Sequence, residues 1–252
     1  MSVPSEGAAA GGFSGGRARP AGGFGTGHTL PAAVLWDMDG TLVDTEPYWI
    51  AAEQALVAEH GGRWSTEDAH GLVGNDLPTS ARVLRERGGV DLTPEEIVDR
   101  LLDEVVARTR ELMPWRPGAR ELLGQLHDAG MPTALVTMSY RRLAEPVLDA
   151  LAPRTFTVSV TGDEVDNGKP HPEPYLAAAA ALQVDPAECL AIEDSPTGVA
   201  SALAAGCMVL GVPHVVALVE GPRLALRPSL SGLGLADLRS LASALAAGGP
   251  LR

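Results

Sequence analysis

The pattern of apolar and polar positions divides the chain into regions of different character. From about residue 117 onward, short apolar runs alternate with helical patterning. The apolar runs, including one before this region, predict strands at 33–36, 133–137, 156–160, 189–192 and 207–211. The stretches between and after them predict helices at 118–129, 140–151, 173–182, 197–205 and 235–246. This alternation is typical of an α/β fold, in which a parallel core sheet carries helices on both faces.

Residues 46–114 show helical spacing and no strand pattern. A helix begins at Glu46-Pro47 and ends before Gly61-Gly62. Its predicted buried face consists of Ile50, Ala51, Gln54, Ala55, Val57 and Ala58. Two short helices are predicted at 66–71 and 78–87, and Thr93-Pro94-Glu95-Glu96 is a capping box that begins a longer helix ending before Pro114. The chain therefore predicts a helical insertion at 46–114 within a core formed by residues 31–45 and 115–252.

Composition narrows the expected partners and location. The net charge of −13 argues against nucleic acid and anionic membrane surfaces as partners, and no apolar run reaches transmembrane length. Residues 1–30 are rich in Gly, Ala and Ser and predict a disordered extension, because they lack the apolar stretch of a signal peptide. The two cysteines lie in or beside apolar runs, as free thiols do in a reducing cytosol. We therefore expect a cytoplasmic protein, and a monomer.

Two aspartates directly follow the first predicted strand. Asp37 and Asp39 are one residue apart, and strand alternation puts both side chains on the same side of the extended chain. Gly40 then permits a tight turn before Thr41. Open α/β sheets bind ligands beyond the carboxyl ends of their strands, where this pair lies. Because two carboxylates this close repel each other, a cation must lie between them or one of them must hold a proton.

Three more polar groups end or follow predicted strands. Thr137 ends the second strand and Ser139 comes two residues later, so that hydroxyls are available to a phosphoryl oxygen. Lys169 is the only lysine, although the chain has 19 Lys and Arg residues together. A compact ammonium retained in a chain that otherwise uses arginine suggests a tight site that needs a point charge. Glu193-Asp194 follows the fourth strand and offers the hard oxygen ligands that Mg²⁺ prefers.

In order and placement, these groups resemble the four motifs of the haloacid dehalogenase-like hydrolase superfamily. The matching elements are Asp-x-Asp-Gly-Thr at 37–41, Thr137, Gly168-Lys169-Pro170 and Glu193-Asp194. The form of the third motif is similar to the phosphoglycolate phosphatase and β-phosphoglucomutase branch. The resemblance implies a Rossmann-like core with residues 46–114 as a helical cap. It also implies a Mg²⁺-dependent phosphatase that acts on a small phosphate monoester, such as a sugar, polyol or glycolate phosphate.

The same resemblance implies a role for each site residue. Asp37 would form an aspartyl-phosphate, and Asp39 would protonate the leaving oxygen and then activate water. The residues that would bind the phosphoryl group are Gly40, Thr41, Thr137, Ser139 and Lys169. The ligands of Mg²⁺ would be Asp37, the main-chain carbonyl of Asp39, Asp194 and, secondarily, Glu193.

Other activities of the superfamily are less compatible with the sequence. A dehalogenase lacks the second aspartate, which is present here, and a phosphonatase needs a cap lysine, which residues 46–114 lack. A phosphomutase shares all four motifs but needs a basic residue in the cap loop; residues 71–80 contain none, which favours a phosphatase. A catalytically silent binding protein on this fold remains a third alternative. Asn75 and Asp76 either bind hydroxyl groups of the substrate or form a turn between helices.

Overall fold

Six parallel strands form one sheet. The computed structural model describes residues 30–72 and 75–247. The strands are β1 (Ala33–Trp36), β2 (Thr133–Val136), β3 (Val158–Val160), β4 (Cys189–Glu193), β5 (Met208–Gly211) and β6 (Leu224–Leu226). Their spatial order is β3-β2-β1-β4-β5-β6, and every neighbouring pair is parallel. The predicted α/β class with a parallel, Rossmann-like sheet is confirmed.

The sequence did not predict the edge strand β6. This strand has only three residues, too few to show a strand period, and it follows Arg223, whose φ is +61°. The start of β5 was also misplaced by one residue. Cys207 was predicted to begin this strand, but its N–H closes the end of a helix by donating to the carbonyl of Ala202 at 3.0 Å. The first residue of a strand depends on which backbone hydrogen bonds form there, and the apolar pattern of the sequence does not predict this.

The predicted helices are present, with bounds shifted by a residue or two. They are α1 (Glu46–Glu59), α2 (Thr66–His70), α3 (Leu77–Gly88), α4 (Pro94–Glu111), α5 (Ala119–Asp128), α6 (Arg141–Asp149), α7 (Glu173–Leu182), α8 (Pro196–Ala204) and α9 (Leu235–Ala246). The predicted capping box opens α4: the Glu96 N–H donates to the Thr93 hydroxyl, and the Thr93 N–H donates to the Glu96 carboxylate. Among the described helices, none combines the length and apolar character needed to cross a membrane.

Alternate residues of the central strands serve two different cores. In β1, Val34 and Trp36 face one side, against α5, α6 and α9. Ala33 and Leu35 face the other side, where α7 and α8 cover the sheet. Because both faces are buried, β1, β2 and β4 are apolar at almost every position, as parallel strands usually are. The sheet is therefore a rigid support whose carboxyl-terminal edge carries the polar residues.

Helices α1 to α4 lie within the helical insertion (residues 46–114), between β1 and α5. Their buried side chains belong to the same apolar cluster as one face of the sheet, and α4 packs against α6. The predicted face of α1 is correct for Val57, which is buried, and wrong for Ala55 and Ala58, which are exposed. Ala52, Glu53 and Leu56 are buried with Val57. Alanine is abundant around this helix, so no clear apolar stripe orients it.

The division into a core and a cap stays a prediction, as does the monomeric state. Up to residue 29, the predicted disordered extension lies outside the described residues.

Candidate active site

Three neighbouring strands bring the predicted site residues to one edge of the sheet. Asp37 follows β1, Thr137 follows β2, and Glu193 is the last residue of β4, directly before Asp194. Since β1 lies between β2 and β4, these groups converge although they are far apart in sequence. Carboxylate oxygens of Asp37, Glu193 and Asp194 lie within 4.8 Å of one another. Three carboxylates this close require positive charge between them.

Lys169 supplies a positive charge to this carboxylate cluster. Its Nζ donates to Oδ1 of Asp37 at 2.6 Å, to Oε1 of Glu193 at 2.6 Å, and to the main-chain carbonyl of Val136 at 2.9 Å. The side chain is only 5% exposed. Burial acts to lower the pKa of Lys169, but the charges of Asp37 and Glu193 outweigh it and raise the pKa above its ordinary value. The ammonium therefore stays charged and has no donor to spare.

Glu193 acts in the structure as the anchor of Lys169. Its carboxylate is fully buried and also accepts a 2.6 Å hydrogen bond from the Tyr175 hydroxyl, while the Tyr175 ring lies 5.2 Å from Nζ of Lys169. The close approach of Gly198 requires glycine, because a Cβ at this position would overlap the Glu193 carboxylate. Burial and the charge of Asp37 raise the pKa of Glu193, and the ammonium of Lys169 opposes them. Tyr175 was not predicted as a site residue, and its position within α7 gave no local signal.

Asp39 points away from the three-carboxylate cluster, toward hydroxyl groups. Its Oδ1 accepts from Thr45, and its Oδ2 accepts from Ser139 at 2.8 Å and from Thr137 at 3.3 Å. Burial raises the pKa of Asp39, and the charge of Asp37 raises it further, against the opposing effect of these hydrogen bonds. A carboxyl group with a raised pKa is suited to carry a proton that it can donate. Ser139 and Thr137, predicted to bind substrate, orient this carboxyl group in the structure.

The turn after β1 brings the backbone against Asp194. Gly40 has a φ of +89°, and a Cβ at this residue would collide with the Asp194 carboxylate. The Thr41 hydroxyl donates to Oδ1 of Asp194 at 3.4 Å, and the Thr41 side chain is buried. Thr41 was predicted as a substrate-binding residue, but it contacts Asp194 and does not line the cavity described below.

The residues present fit a divalent metal ion. Oδ2 of Asp37 is buried and has no hydrogen-bond partner among the described residues. Burial and the charges of Asp37 and Glu193 raise the pKa of Asp194, which means that its anionic form lacks compensation from the protein alone. With one ammonium for three carboxylates, the cluster keeps an excess of negative charge. Hard oxygen donors with this excess charge suit Mg²⁺.

A cavity of about 200 Å³ lies between the sheet edge and the helical insertion. The sheet edge contributes Asp37, Asp39, Lys169 and Asp194, and α1 contributes Glu46, Trp49, Ile50 and Glu53. Asn75 lines the cavity as well. Asp76 does not, because its Oδ1 caps α3 by accepting from the Thr79 N–H at 2.6 Å. Of the two predicted loop residues, only Asn75 therefore lies where it can meet a ligand.

The family follows from comparison with known proteins. A family model described as haloacid dehalogenase-like hydrolase matches residues 31–206. The chain belongs to this family.

This haloacid dehalogenase-like hydrolase is 34% identical to hexitol phosphatase A of Escherichia coli K12, over 75% of its own length and 85% of the relative's. It is 36% identical to the phosphorylated carbohydrates phosphatase of Thermotoga maritima, over 77% and 93% of the two chains. It also resembles the crystal structure of CbbY from Rhodobacter sphaeroides in complex with phosphate. That match has a TM-score of 0.75 and 29% identity and covers 83% and 99% of the two chains. The prediction of a phosphoric monoester hydrolase of this family is confirmed.

Glu53 is the main residue of the cavity that the sequence analysis missed. It lies on α1, is 6% exposed, and accepts a 3.0 Å hydrogen bond from the Trp64 indole at Oε2. Burial raises its pKa to about 7, and the charge of Glu46 adds to the effect, whereas the bond from Trp64 opposes it. One signal was available: Glu53 is three and four residues before Leu56 and Val57, so it shares their helix face.

The buried charge of Glu53 predicts a pH-dependent change in stability. The pKa of this carboxyl group is higher in the folded state than its ordinary 4.5, so ionisation disfavours the folded state as the pH rises through 4.5 to about 7. Glu53→Gln removes that cost. We expect the free energy of unfolding to rise by roughly 2–3 kcal/mol at pH 8, and by much less at pH 5.

Urea unfolding at the two pH values measures this effect. The matched control is Glu59→Gln on the same helix, because Glu59 is exposed and its partner among the described residues is the exposed Arg100. The control should change stability little at either pH. A loss of stability at pH 8, or an equal gain at both pH values, would contradict the buried-charge interpretation of Glu53.

Proposed function

We propose that this protein is a Mg²⁺-dependent phosphatase of small phosphate monoesters that works through an aspartyl-phosphate on Asp37. The observation that carries the proposal is the state of the Asp37 carboxylate. Lys169 holds Oδ1 at 2.6 Å, while Oδ2 has no partner among the described residues and Asp37 lines the cavity. A carboxylate that an ammonium holds in place in the wall of the cavity is oriented for nucleophilic attack.

In the first step, a carboxylate oxygen of Asp37 attacks the phosphorus atom and the bond between phosphorus and the leaving oxygen breaks. The leaving oxygen takes the proton of Asp39, whose raised pKa favours the protonated form before the step. Thr45, Ser139 and Thr137 hold the Asp39 carboxyl group in place through their hydroxyl groups. The products of this step are the free alcohol and a phosphorylated Asp37.

In the second step, the ionised Asp39 takes a proton from a water molecule, whose oxygen attacks the phosphorus atom. The bond between phosphorus and the Asp37 oxygen breaks, and inorganic phosphate leaves. Lys169 stabilises the carboxylate of Asp37 as it is regenerated, because its ammonium stays in contact with Oδ1. The proton on Asp39 is restored for the next cycle.

We propose that Asp37 and Asp194, with the main-chain carbonyl of Asp39, hold the metal ion. When bound, Mg²⁺ offsets the negative charge of the carboxylates and of the phosphoryl group. Glu193 is less suited to ligation than the sequence suggests, because its Oε1 accepts from Lys169 and Tyr175 and its Oε2 accepts from Ser195.

We further propose that the helical insertion is the cap that covers the site and contacts the leaving group. Its residues line the cavity opposite Asp37, which supports this role. The relatives named for hexitols and phosphorylated carbohydrates support a sugar or polyol phosphate as substrate. Among the described residues that line the cavity, the helical insertion contributes no Lys or Arg, which supports a phosphatase over a mutase that must hold a second phosphate.

Metal removal tests the proposed function. Phosphate release from p-nitrophenyl phosphate and from sugar, polyol and glycolate phosphates would be measured in Mg²⁺ and after chelation with EDTA. We expect chelation to lower kcat/KM by roughly 100-fold or more, and added Mg²⁺ to restore it. Equal release with and without metal would contradict the metal dependence. No release from any compound by the folded protein would contradict a general phosphatase.

A further inference from the structure

Glu53 places an unusual acceptor in the wall of the cavity. The side chain is more than nine-tenths buried, and Trp64 satisfies only Oε2. Within the described part of the chain, Oε1 has no hydrogen bond, and the residue lines the cavity. A carboxylate oxygen without a donor, on a buried side chain that lines a cavity, suits a ligand that brings its own donor.

A second carboxylate with an unpaired oxygen lies on the same helix. Glu46 precedes Glu53 by seven residues, about two turns of α1, and lines the same cavity. Its Oε1 is buried and has no partner among the described residues. The two residues therefore offer acceptors along one side of the space that the leaving group of a substrate would occupy.

The cavity offers no free cation to an anionic leaving group. Among the described lining residues, the basic ones are Lys169 and His214. All three N–H groups of Lys169 are in use, and Nε2 of His214 lies 3.0 Å from Oδ1 of Asp44. A carboxylate or second phosphate on the leaving group would therefore meet Glu46 and Glu53 without compensation.

Hydroxyl groups match these carboxylates better than an ammonium does. The pKa of Glu53, raised to about 7, leaves the group partly protonated at neutral pH, so it can donate as well as accept a hydrogen bond. A hydroxyl group can use both roles, whereas an ammonium can only donate. Trp49 and Ile50 also line the cavity and can contact the apolar C–H groups of a carbohydrate chain.

We propose that Glu53, with Glu46, determines specificity by binding hydroxyl groups of an uncharged leaving group and by excluding anionic ones. This inference rests on the proposed function and narrows it: polyol and neutral sugar phosphates are substrates, whereas phosphoglycolate and bisphosphates are disfavoured. Neither glutamate contacts the reacting atoms, so both affect how the leaving group is recognised.

Matched substrates test the proposal. Glucitol 6-phosphate and 6-phosphogluconate share a six-carbon chain but end in a hydroxymethyl group or a carboxylate, and glucosamine 6-phosphate brings an ammonium. For the wild type, we expect kcat/KM to be at least about 100-fold higher with glucitol 6-phosphate than with 6-phosphogluconate. Glu53→Gln keeps an acceptor for Trp64 and should raise KM for glucitol 6-phosphate roughly 10-fold. It should also lower the ratio of the two kcat/KM values by at least that factor. Glu46→Gln should act in the same direction, and Glu59→Gln should leave the ratio unchanged.

The outcomes separate this inference from the proposed function. No release from p-nitrophenyl phosphate or from any of the sugar, polyol and glycolate phosphates would defeat the proposed function and the inference together. Release from p-nitrophenyl phosphate, with equal use of the two six-carbon substrates or a ratio unaffected by Glu53→Gln, would overturn the inference alone. Preference for glucosamine 6-phosphate would overturn it in favour of a cation site.

Discussion

Replacing Asp37 with asparagine is expected to abolish turnover, lowering kcat by roughly 10³-fold or more. An amide oxygen is a poor nucleophile, and asparagine cannot form the aspartyl-phosphate. The substitution conserves the size of the side chain and leaves an oxygen that can accept from Lys169. In the wild type, Lys169 donates to Oδ1 of Asp37 at 2.6 Å. The substitution also removes one of three crowded carboxylates, so the folded protein should be at least as stable as the wild type. The loss of activity would therefore not reflect unfolding.

Phosphate release and mass spectrometry of acid-quenched protein would check this prediction. The wild type should carry a phosphate adduct on the peptide that contains Asp37, and Asp37→Asn should not. Asp128→Asn is a matched control, because Asp128 is exposed at the end of α5. Activity of Asp37→Asn within about tenfold of the wild type, or an adduct on a different residue, would rule out Asp37 as the nucleophile.

Replacing Lys169 with methionine is expected to reduce both catalysis and stability. Methionine fills a similar volume but leaves Asp37, Glu193 and Asp194 without the ammonium between them. Removing one partner of a buried ion pair typically costs 3–5 kcal/mol, so we expect a loss of about that size at pH 8. We expect kcat to fall by roughly 10²- to 10³-fold, because the charge that orients Asp37 is gone.

The stability loss in Lys169→Met should be smaller at pH 5 than at pH 8. The pKa of Glu193 and that of Asp194 are already raised in the wild type, and without the ammonium these groups take up protons more readily as the pH falls. Added Mg²⁺ should also recover part of the loss. Urea unfolding at both pH values, with and without Mg²⁺, measures these effects.

Lys169→Arg serves as the charge-preserving control. Arginine keeps the positive charge but is larger and planar, and the site around Nζ is almost fully enclosed. We expect it to retain more stability than methionine and still to lose activity. Full activity in Lys169→Arg would show that a point charge is not needed, and unchanged stability in Lys169→Met would contradict the role of Lys169 in balancing the carboxylates.

Much of the candidate site could be predicted from the sequence because of parallel-sheet geometry. Each buried strand is a short apolar run, and the polar residues directly after the run mark its carboxyl end, so the positions of Asp37, Thr137 and the pair Glu193-Asp194 could be predicted from local sequence. Lys169 is different: no strand precedes it directly. Its status as the only lysine and the motif around it identified the residue as a candidate, and in the structure its Nζ donates to Asp37.

The sequence determined the order of strands and helices, the α/β class, the helical insertion and the residues at the carboxyl ends of β1, β2 and β4. These features follow from periodicity and chain connectivity, which act over short stretches. The tertiary structure alone decided which face of α1 is buried, that Glu53 and Glu46 enter the cavity, and that Tyr175 and Glu193 hold Lys169. It also decided that Asp76 caps a helix and does not line the cavity. These outcomes depend on how α1 packs against α4 and on which donors remain for each buried carboxylate, contacts that join residues distant along the chain.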